Sequence, residues 1–308
     1  MNGVRYRPGY IKLHRNGELR ERAEVLWGIL NSCRLCPREC RVNRLEGETG
    51  FCKATSKLRV ASYSPHFGEE RPLVGVGGSG TIFFSHCNLG CVFCQNWDIS
   101  HKGSGTECSI GDLASMMLEL QDQGCQNINV VTPTHYAAHI LLALDMAASR
   151  GLRLPLVYNT CGWEREEILA VMDGVVDIYL ADFKYQDALM AATYSGDAES
   201  YPLITRAALL EMNRQVGVAL PERSGIILRG LMIRHLVMPE DVSGSVEVML
   251  WISENLPLNT YVNIMIQYRP AYRAHLFPEI DAYVSRDDYA AVVEAARSFG
   301  LSNLDADI

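Results

Sequence analysis

From Thr81 onward the chain alternates short, almost continuously apolar runs with longer amphipathic stretches, and this alternation restricts the fold more than any other feature. The apolar runs fall at 81–85, 127–131, 154–159, 175–181, 225–231 and 261–267. Between them lie helix-like stretches at 112–123, 137–150, 164–173, 205–216 and 241–255. Asp112 and Asp241 read as N-caps, and Gly124, Gly151, Gly174 and Gly217 as helix stops. Strands that are apolar on both faces belong in a parallel sheet covered by helices, unlike half-exposed strands, which alternate. Six such units fall short of a closed eight-stranded barrel. The predicted fold class is therefore α/β, a partial (β/α)6 barrel, with a last helix at about 287–299. In such folds ligands gather at the carboxyl ends of the strands.

One strand end carries unusual chemistry. Thr81-Ile82-Phe83-Phe84 leads into Ser85-His86-Cys87-Asn88-Leu89-Gly90-Cys91-Val92-Phe93-Cys94-Gln95-Asn96. Cys87, Cys91 and Cys94 form a C-x3-C-x2-C loop with an aromatic residue before the last cysteine. Three thiolates on a tight loop can hold three irons of a 4Fe–4S cube and leave the fourth iron open to a substrate. Zinc is the alternative, with His86 or Cys108 as a fourth ligand. The spacing, Phe93 and the preceding strand favour iron–sulfur.

Seven of the ten cysteines lie before residue 95, and four of those form a second set. Cys33, Cys36, Cys40 and Cys52 are spaced C-x2-C-x3-C-x11-C, behind an amphipathic stretch at 19–31. Four ligands make a closed site, either structural zinc or a second 4Fe–4S cluster. A segment this short needs such a staple. The division along the chain reads as an N-terminal four-cysteine metal-binding module (1–60), a core (61–275) and a C-terminal helical extension (276–308). Cys108, Cys125 and Cys161 read as small core residues.

Composition excludes several classes. A net charge of −8 argues against nucleic acid as a partner, since phosphate neutralisation needs clustered Lys and Arg. No run approaches the ~18 apolar residues of a membrane span, and the N-terminal sequence has no apolar signal core. Ten cysteines without a secretory signal point to metal or redox chemistry in a reducing compartment. The expectation is a cytoplasmic protein with no membrane partner.

The other strand ends supply the candidate walls of the pocket. Thr132 and Thr134 offer hydroxyls, and His135 reads equally as a site residue or a helix-start residue. Asn159 ends the third strand, and Asp182 and Lys184 follow the fourth as pocket groups or a structural ion pair. Arg229 and Arg234 lie on the fifth, and Asn263, Gln267, Arg269 and Tyr272 on or after the sixth. Polar groups in apolar strands are costly unless paired, which marks them as pocket linings.

The C-x3-C-x2-C loop resembles that of the radical S-adenosylmethionine (radical SAM) enzymes. In that superfamily the open iron chelates S-adenosylmethionine, and electron transfer breaks a carbon–sulfur bond to release a 5′-deoxyadenosyl radical. Together with Gly77-Gly78-Ser79-Gly80, Val131-Thr132-Pro133-Thr134-His135, Val176-Asp177-Ile178-Tyr179-Leu180, Arg234-His235-Leu236-Val237-Met238-Pro239 and Gln267-Tyr268-Arg269-Pro270, the loop resembles the radical SAM proteins grouped with pyruvate formate-lyase activating enzymes. That resemblance spans about residues 30 to 275. Ala181 replaces the more usual proline, and the Gly-Gly-Glu stretch common after the second strand is absent.

The resemblance implies a radical SAM oxidoreductase that abstracts hydrogen, with activation of a glycyl radical enzyme as its narrowest form. It implies a 4Fe–4S cluster on Cys87, Cys91 and Cys94. Asn96, Thr132, Thr134, Asn159, Asp182, Lys184 and Arg229 are the candidate S-adenosylmethionine contacts, and no residue is singled out as catalytic. The implied partners are a reductant such as flavodoxin or ferredoxin and a protein, peptide or small-molecule substrate. The competing reading is a non-catalytic iron–sulfur protein that carries electrons or serves as a scaffold.

Overall fold

The apolar runs form the strands of one nine-stranded sheet. The computed structural model describes residues 6–306. Helices α1 (Tyr10–Arg15) and α2 (Glu18–Ile29) come first, and the four-cysteine segment follows with only short 3-10 turns. Next come β1 (Leu58–His66), α3 (Arg71–Val74), β2 (Ser79–Phe84), α4 (Trp97–Ser100), β3 (Thr106–Cys108) and α5 (Ile110–Asp122). The alternating part runs through β4 (Ile128–Val131), α6 (Ala137–Ser149), β5 (Leu156–Thr160), α7 (Glu166–Met172) and β6 (Ile178–Asp182). After α8 (Ala188–Tyr194) and α9 (Tyr201–Val216) follow β7 (Gly230–Leu236), α10 (Ser245–Asn255), β8 (Tyr261–Met265), α11 (Arg286–Ser298) and β9 (Asn303–Ala306).

The strand order is β3-β1-β2-β4-β5-β6-β7-β8-β9. The six expected strands, β2 and β4 to β8, pair in parallel and in chain order, as a partial (β/α)6 barrel requires. Three further strands were not expected. Antiparallel β1 and β3 extend one edge, and after α11 the chain returns as β9, parallel to β8. The middle of β1 (Ser62, Tyr63, Ser64) is exposed, so the strand carries no apolar run to betray it.

Three local expectations are corrected. The fifth strand spans 230–236, not 225–231, because within the apolar run Ile226-Ile227-Leu228 only Ile227 is buried, and it packs into the inner cluster before the strand begins. The N-cap of α5 is Ser109, whose hydroxyl accepts from the Asp112 N–H while Asp112 bonds back to Ser109, a capping box with Asp112 in the reciprocal position. Asp241 lies ahead of the α10 N-cap, Gly244, and accepts from the Ser245 N–H at 2.9 Å. The four predicted helix-stop glycines all adopt positive φ.

Alternation along the strands separates two cores. Tyr158, Tyr179, Ala181, Leu231 and Ile233 face the helices and belong to the large outer core. Val157, Ile178, Leu180, Met232 and Tyr261 face the other way and pack with Leu73, Ala219 and Ile227 in a smaller cluster. Leu73 comes from α3 between β1 and β2, so this cluster forms an apolar floor inside the barrel at the strand starts. Two residues further along, the same strand faces carry Asn159, Asp182 and Arg234.

The floor is joined to the strand ends by close backbone approach. Gly162, just past β5, has φ +81°, and a Cβ there would lie 2.1 Å from the Asp182 carbonyl oxygen. Gly124 has a similar φ of +87° but open space around it. Gly162→Ala therefore combines a left-handed conformation costing about 1–2 kcal/mol with a backbone clash adding about 1–3 kcal/mol. Gly124→Ala loses only the first. In denaturant titrations Gly162→Ala is expected to be the less stable variant by at least about 1 kcal/mol; equal losses would show that the contact is not felt.

Candidate functional site

The C-x3-C-x2-C loop leaves the C-terminal end of β2 through two residues that fix its direction. The Ser85 hydroxyl donates to the Ser104 carbonyl at 2.7 Å, and His86 adopts φ +75°. Gly90 (φ +72°) makes the turn between Cys87 and Cys91. Each of the three sulfurs then meets a hydrogen-bonding group. The Leu89 N–H donates to Cys87 Sγ (3.4 Å), the Ser195 hydroxyl donates to Cys91 Sγ (3.0 Å), and Ser100 Oγ lies 3.1 Å from Cys94 Sγ. Burial pushes the Cys91 thiol up to about 12 and raises that of Cys87, with the Lys184 ammonium opposing the rise in both. Bound metal reverses that preference, because a coordinating thiol is deprotonated outright.

The three cysteines open into a cleft of about 360 Å³, within the ~300–1,000 Å³ typical of small-molecule sites. Its far wall is a charged network at the ends of β5, β6 and β7. Arg234 Nε donates to Asp182 Oδ1 at 2.8 Å and Nη2 to Asn159 Oδ1 at 2.6 Å, while Lys184 Nζ lies 2.7 Å from Asp182 Oδ2. Burial alone would raise the Asp182 carboxyl; the Arg234 and Lys184 charges outweigh it and leave the group below its ordinary value. Gln95 Nε2 donates to the Gln267 carbonyl at 3.2 Å across the mouth.

The second cysteine set lies against the back of this loop. Cys33, Cys36, Cys40 and Cys52 line one small cavity with Arg44 and His135. Gly50 is required there, since a Cβ would lie 2.5 Å from Cys40 Sγ. Arg44 is fully buried, donates to the carbonyls of Thr55 and His135, and lies 3.8 Å from Cys33 Sγ. Among the described residues it has no carboxylate partner, so its charge faces the thiols, as a counter-ion to an anionic metal–thiolate group would. His135 Nε2 in turn donates to the Ser85 carbonyl at 2.8 Å, beside the start of the other cysteine loop.

Arg38 ties the two sets directly. It lies between Cys36 and Cys40, and its guanidinium donates to the carbonyls of Asn88 (3.0 Å), Leu89 (3.1 Å) and Ser195 (3.3 Å). Its other face covers the Phe51 ring at 3.7 Å. Phe51 packs so closely on Gly90 that a Cβ there would come within 2.8 Å of the ring. Among the described residues no three His, Cys, Asp or Glu side chains are placed to hold a single metal ion. A cube of irons does not ask for that, because each of its cysteines binds a different metal.

Of the expected contacts, Cys87, Cys91, Cys94, Asn96, Thr132, Asn159, Asp182 and Lys184 share the cleft. Thr134 does not: it is buried, and its hydroxyl donates to Glu164 Oε1 at 2.5 Å. Arg229 does not either. Because β7 starts at Gly230, Arg229 lies at the opposite end of the sheet, where it donates to the Gln215 and Val216 carbonyls that end α9. His135 is the buried support described above. Cys161, read as a core residue, lines the cleft with its thiol 3.8 Å from Asn88 Oδ1. Of the mouth residues, Gln267 lines the cleft, whereas Tyr272 stacks on Trp97 outside it. Sequence reasoning missed Arg38, Arg44, Ser195 and Glu164. An arginine between two cysteines was the one available signal.

No family model matches the chain. It is 33% identical over 290 residues to the uncharacterized protein MJ0674 of Methanocaldococcus jannaschii, covering 91% of this chain and 78% of that one. A stretch of 81 residues is 31% identical to the uncharacterized protein MJ0808 of the same organism, covering 22% of this chain and 24% of that one. Among solved structures, SuiB of Streptococcus suis bound to S-adenosylmethionine superposes with a TM-score of 0.50 and 14% identity over 72% of this chain. This chain matches 48% of SuiB, about half its length. The two share a fold. No helix among the described residues is long and apolar enough to cross a membrane.

Two outcomes are expected. Arg38→Ala removes three charged hydrogen bonds from the loop, so amide exchange in peptides spanning 86–94 is expected to quicken about tenfold or more, with β5 and β6 unaffected. Equal quickening everywhere would make Arg38 a general stability residue. Glu164 is fully buried, and desolvation lifts its carboxyl to about 7 against the Thr134 and Thr160 hydroxyls. A carboxyl raised in the fold binds its proton more tightly there than in the unfolded chain. Its contribution is complete below about 4.5 and is lost as the pH rises through about 7. Glu164→Gln is expected to remove a loss of up to about 3 kcal/mol over that window, read as a flatter dependence of unfolding free energy on pH.

Proposed function

The chain belongs to the family of the Methanocaldococcus jannaschii protein MJ0674, and we propose, from its own cysteine cleft, that it is a radical S-adenosylmethionine enzyme. One observation carries the proposal: three cysteines, each with a hydrogen-bonding group at its sulfur, open into the cleft that also holds Asn159, Asp182, Lys184 and Arg234. Cys87, Cys91 and Cys94 would hold a 4Fe–4S cluster. When bound there and reduced by a one-electron donor of the flavodoxin or ferredoxin kind, such a cluster would supply the electron for reductive cleavage of S-adenosylmethionine to methionine and a 5′-deoxyadenosyl radical.

The residues of this chain bind, orient and exclude water. Asp182 is an acceptor for an ammonium or for ribose hydroxyls, and Lys184 and Arg234 can pair with a carboxylate. The apolar floor of Leu73, Ile178, Leu180 and Met232 closes the barrel beneath them. Of zinc and a second 4Fe–4S cluster at Cys33, Cys36, Cys40 and Cys52, the placement of the four thiols favours the cluster, with Arg44 as buried counter-charge. Activation of a glycyl radical enzyme such as pyruvate formate-lyase is the narrower form of the proposal, supported by the sequence stretches.

A non-catalytic role has one observation in its favour. Cys161 lines the same cleft, and a fourth thiolate would close the cluster for electron transfer alone. Its thiol instead donates towards Asn88 Oδ1 at 3.8 Å. Anaerobically reconstituted protein with dithionite and S-adenosylmethionine should form 5′-deoxyadenosine. The Cys87→Ala/Cys91→Ala/Cys94→Ala variant should lose the product and about four irons, with its remaining metal naming the N-terminal site. Cys161→Ser should keep both iron and product. Loss of cluster iron in Cys161→Ser, or no product from parent protein with a full cluster, would favour the electron carrier.

A further inference from the structure

Cys91 receives a hydrogen bond of a different kind from its two neighbours. Cys87 Sγ accepts a backbone N–H at 3.4 Å, and the Ser100 hydroxyl beside Cys94 lines the open cleft, where water can stand in for it. The Ser195 hydroxyl that donates to Cys91 Sγ at 3.0 Å is completely buried. A second buried hydroxyl stands behind it, with Tyr185 Oη 2.9 Å from Ser195 Oγ.

Both hydroxyls are held in place from several sides. Ser195 caps the end of α8, where its N–H donates to the Ala191 carbonyl and its own carbonyl accepts from Arg38 at 3.3 Å. One residue earlier, the Tyr194 carbonyl accepts from the Val92 N–H at 2.9 Å, so the helix end is bonded to the cysteine loop right beside Cys91. The Tyr185 ring packs edge-on against Phe93 and Tyr201. Phe93, the aromatic residue before the last cysteine, therefore helps to hold the tyrosine.

A thiolate can only accept a hydrogen bond. Once Cys91 is a ligand, the single Ser195 hydroxyl proton is committed to the sulfur, and the Ser195 oxygen is left to accept from Tyr185. The chain of donors then runs from Tyr185 through Ser195 to Cys91, and each link polarises the next. Donors on a cluster sulfur offset negative charge, so they stabilise the reduced cluster, which carries one more electron, more than the oxidised one. We propose that Tyr185 and Ser195 are positioning residues, a relay of two hydroxyls that aims one reinforced hydrogen bond at Cys91 Sγ and thereby raises the reduction potential of the cluster held there. That role rests on the reading of Cys87, Cys91 and Cys94 as cluster ligands. Ser195→Ala isolates it, because the variant loses the hydroxyl and keeps the carbonyl that binds Arg38.

The test is a redox titration of full-length, anaerobically reconstituted protein, followed by electron paramagnetic resonance. The Cys87→Ala/Cys91→Ala/Cys94→Ala variant identifies any signal from the N-terminal set. At a fixed potential Ser195→Ala is expected to lower the ratio of reduced to oxidised central cluster about tenfold, which is about 59 mV for one electron. Tyr185→Phe is expected to lower it about threefold, because Ser195 still donates but without reinforcement. Ser195→Thr, which keeps the hydroxyl, and Ser100→Ala, where water replaces the lost group, should both stay within about twofold of the parent. An unchanged potential in Ser195→Ala or in Tyr185→Phe with full cluster iron would overturn the proposal, as would a shift in Ser100→Ala as large as that in Ser195→Ala. If Ser195→Ala does not assemble its cluster, Tyr185→Phe, which leaves Ser195 and Cys91 in place, decides alone. Parent protein without iron at the three cysteines would sink the cluster reading and the proposal with it, whereas a full cluster with unmoved potentials sinks the proposal alone.

Discussion

The contact between Asp182 and Arg234 organises the inside of the barrel. Each would be costly to bury alone, and removing one partner of such a pair typically costs about 3–5 kcal/mol. At 2.8 Å the pair is one member of a longer row. Asp182 on β6 stands in register with Arg234 on β7, Arg234 with Asn263 on β8, and Asn263 with Asp305 on β9. Register partners share a face of the sheet, so four adjacent parallel strands present one polar line. The cysteine cleft lies at one end of that line and a chamber lined by Glu69 and Glu70 at the other. The row is what makes them a single interior.

The two cysteine sets form one mechanical unit as well. Arg38 and Phe51 come from the four-cysteine segment yet determine where the C-x3-C-x2-C loop sits, through three carbonyl oxygens and one glycine. His135 works from the opposite side: its carbonyl accepts from Arg44 beside Cys33, and its ring donates to Ser85 before Cys87. A change in ligation at the N-terminal set would therefore reach the central loop through short, directional bonds. The N-terminal segment is thereby a wall behind the central loop.

Much of the fold was legible because burial on both faces writes a continuous apolar run. Five of the six strands fall where the runs predict, and the cysteine loop leaves the predicted strand end. The misses share one cause: local sequence does not say which neighbour an apolar or polar group will meet. Ile226-Ile227-Leu228 reads as strand, but its one buried residue, Ile227, packs into the barrel floor with Leu73. Thr134 sits at the right strand end but turns to Glu164, and Arg229 lies one residue before the strand that was to carry it. Glu69 and Glu70 belong to a loop with no motif, and only the tertiary fold carries them beside Arg234. Cys161 looks like any small core residue until the Cys87 loop folds over it.

The polarity of each inner strand face explains why chemistry collects at one end. Read in steps of two, the faces run Ile178, Leu180, Asp182, Lys184 on β6 and beyond, Val157, Asn159, Cys161 from β5, and Met232, Arg234 on β7. Apolar residues come first in every case, and amide, charged or thiol groups follow at matched heights. The lower layer keeps water from reaching the charges from below, and in that drier setting each ion pair and each donor on a sulfur acts more strongly than it would at a surface. The same dryness makes a carboxyl expensive to ionise, and burial accordingly raises Glu69, which is hydrogen-bonded to Glu70, to about 7.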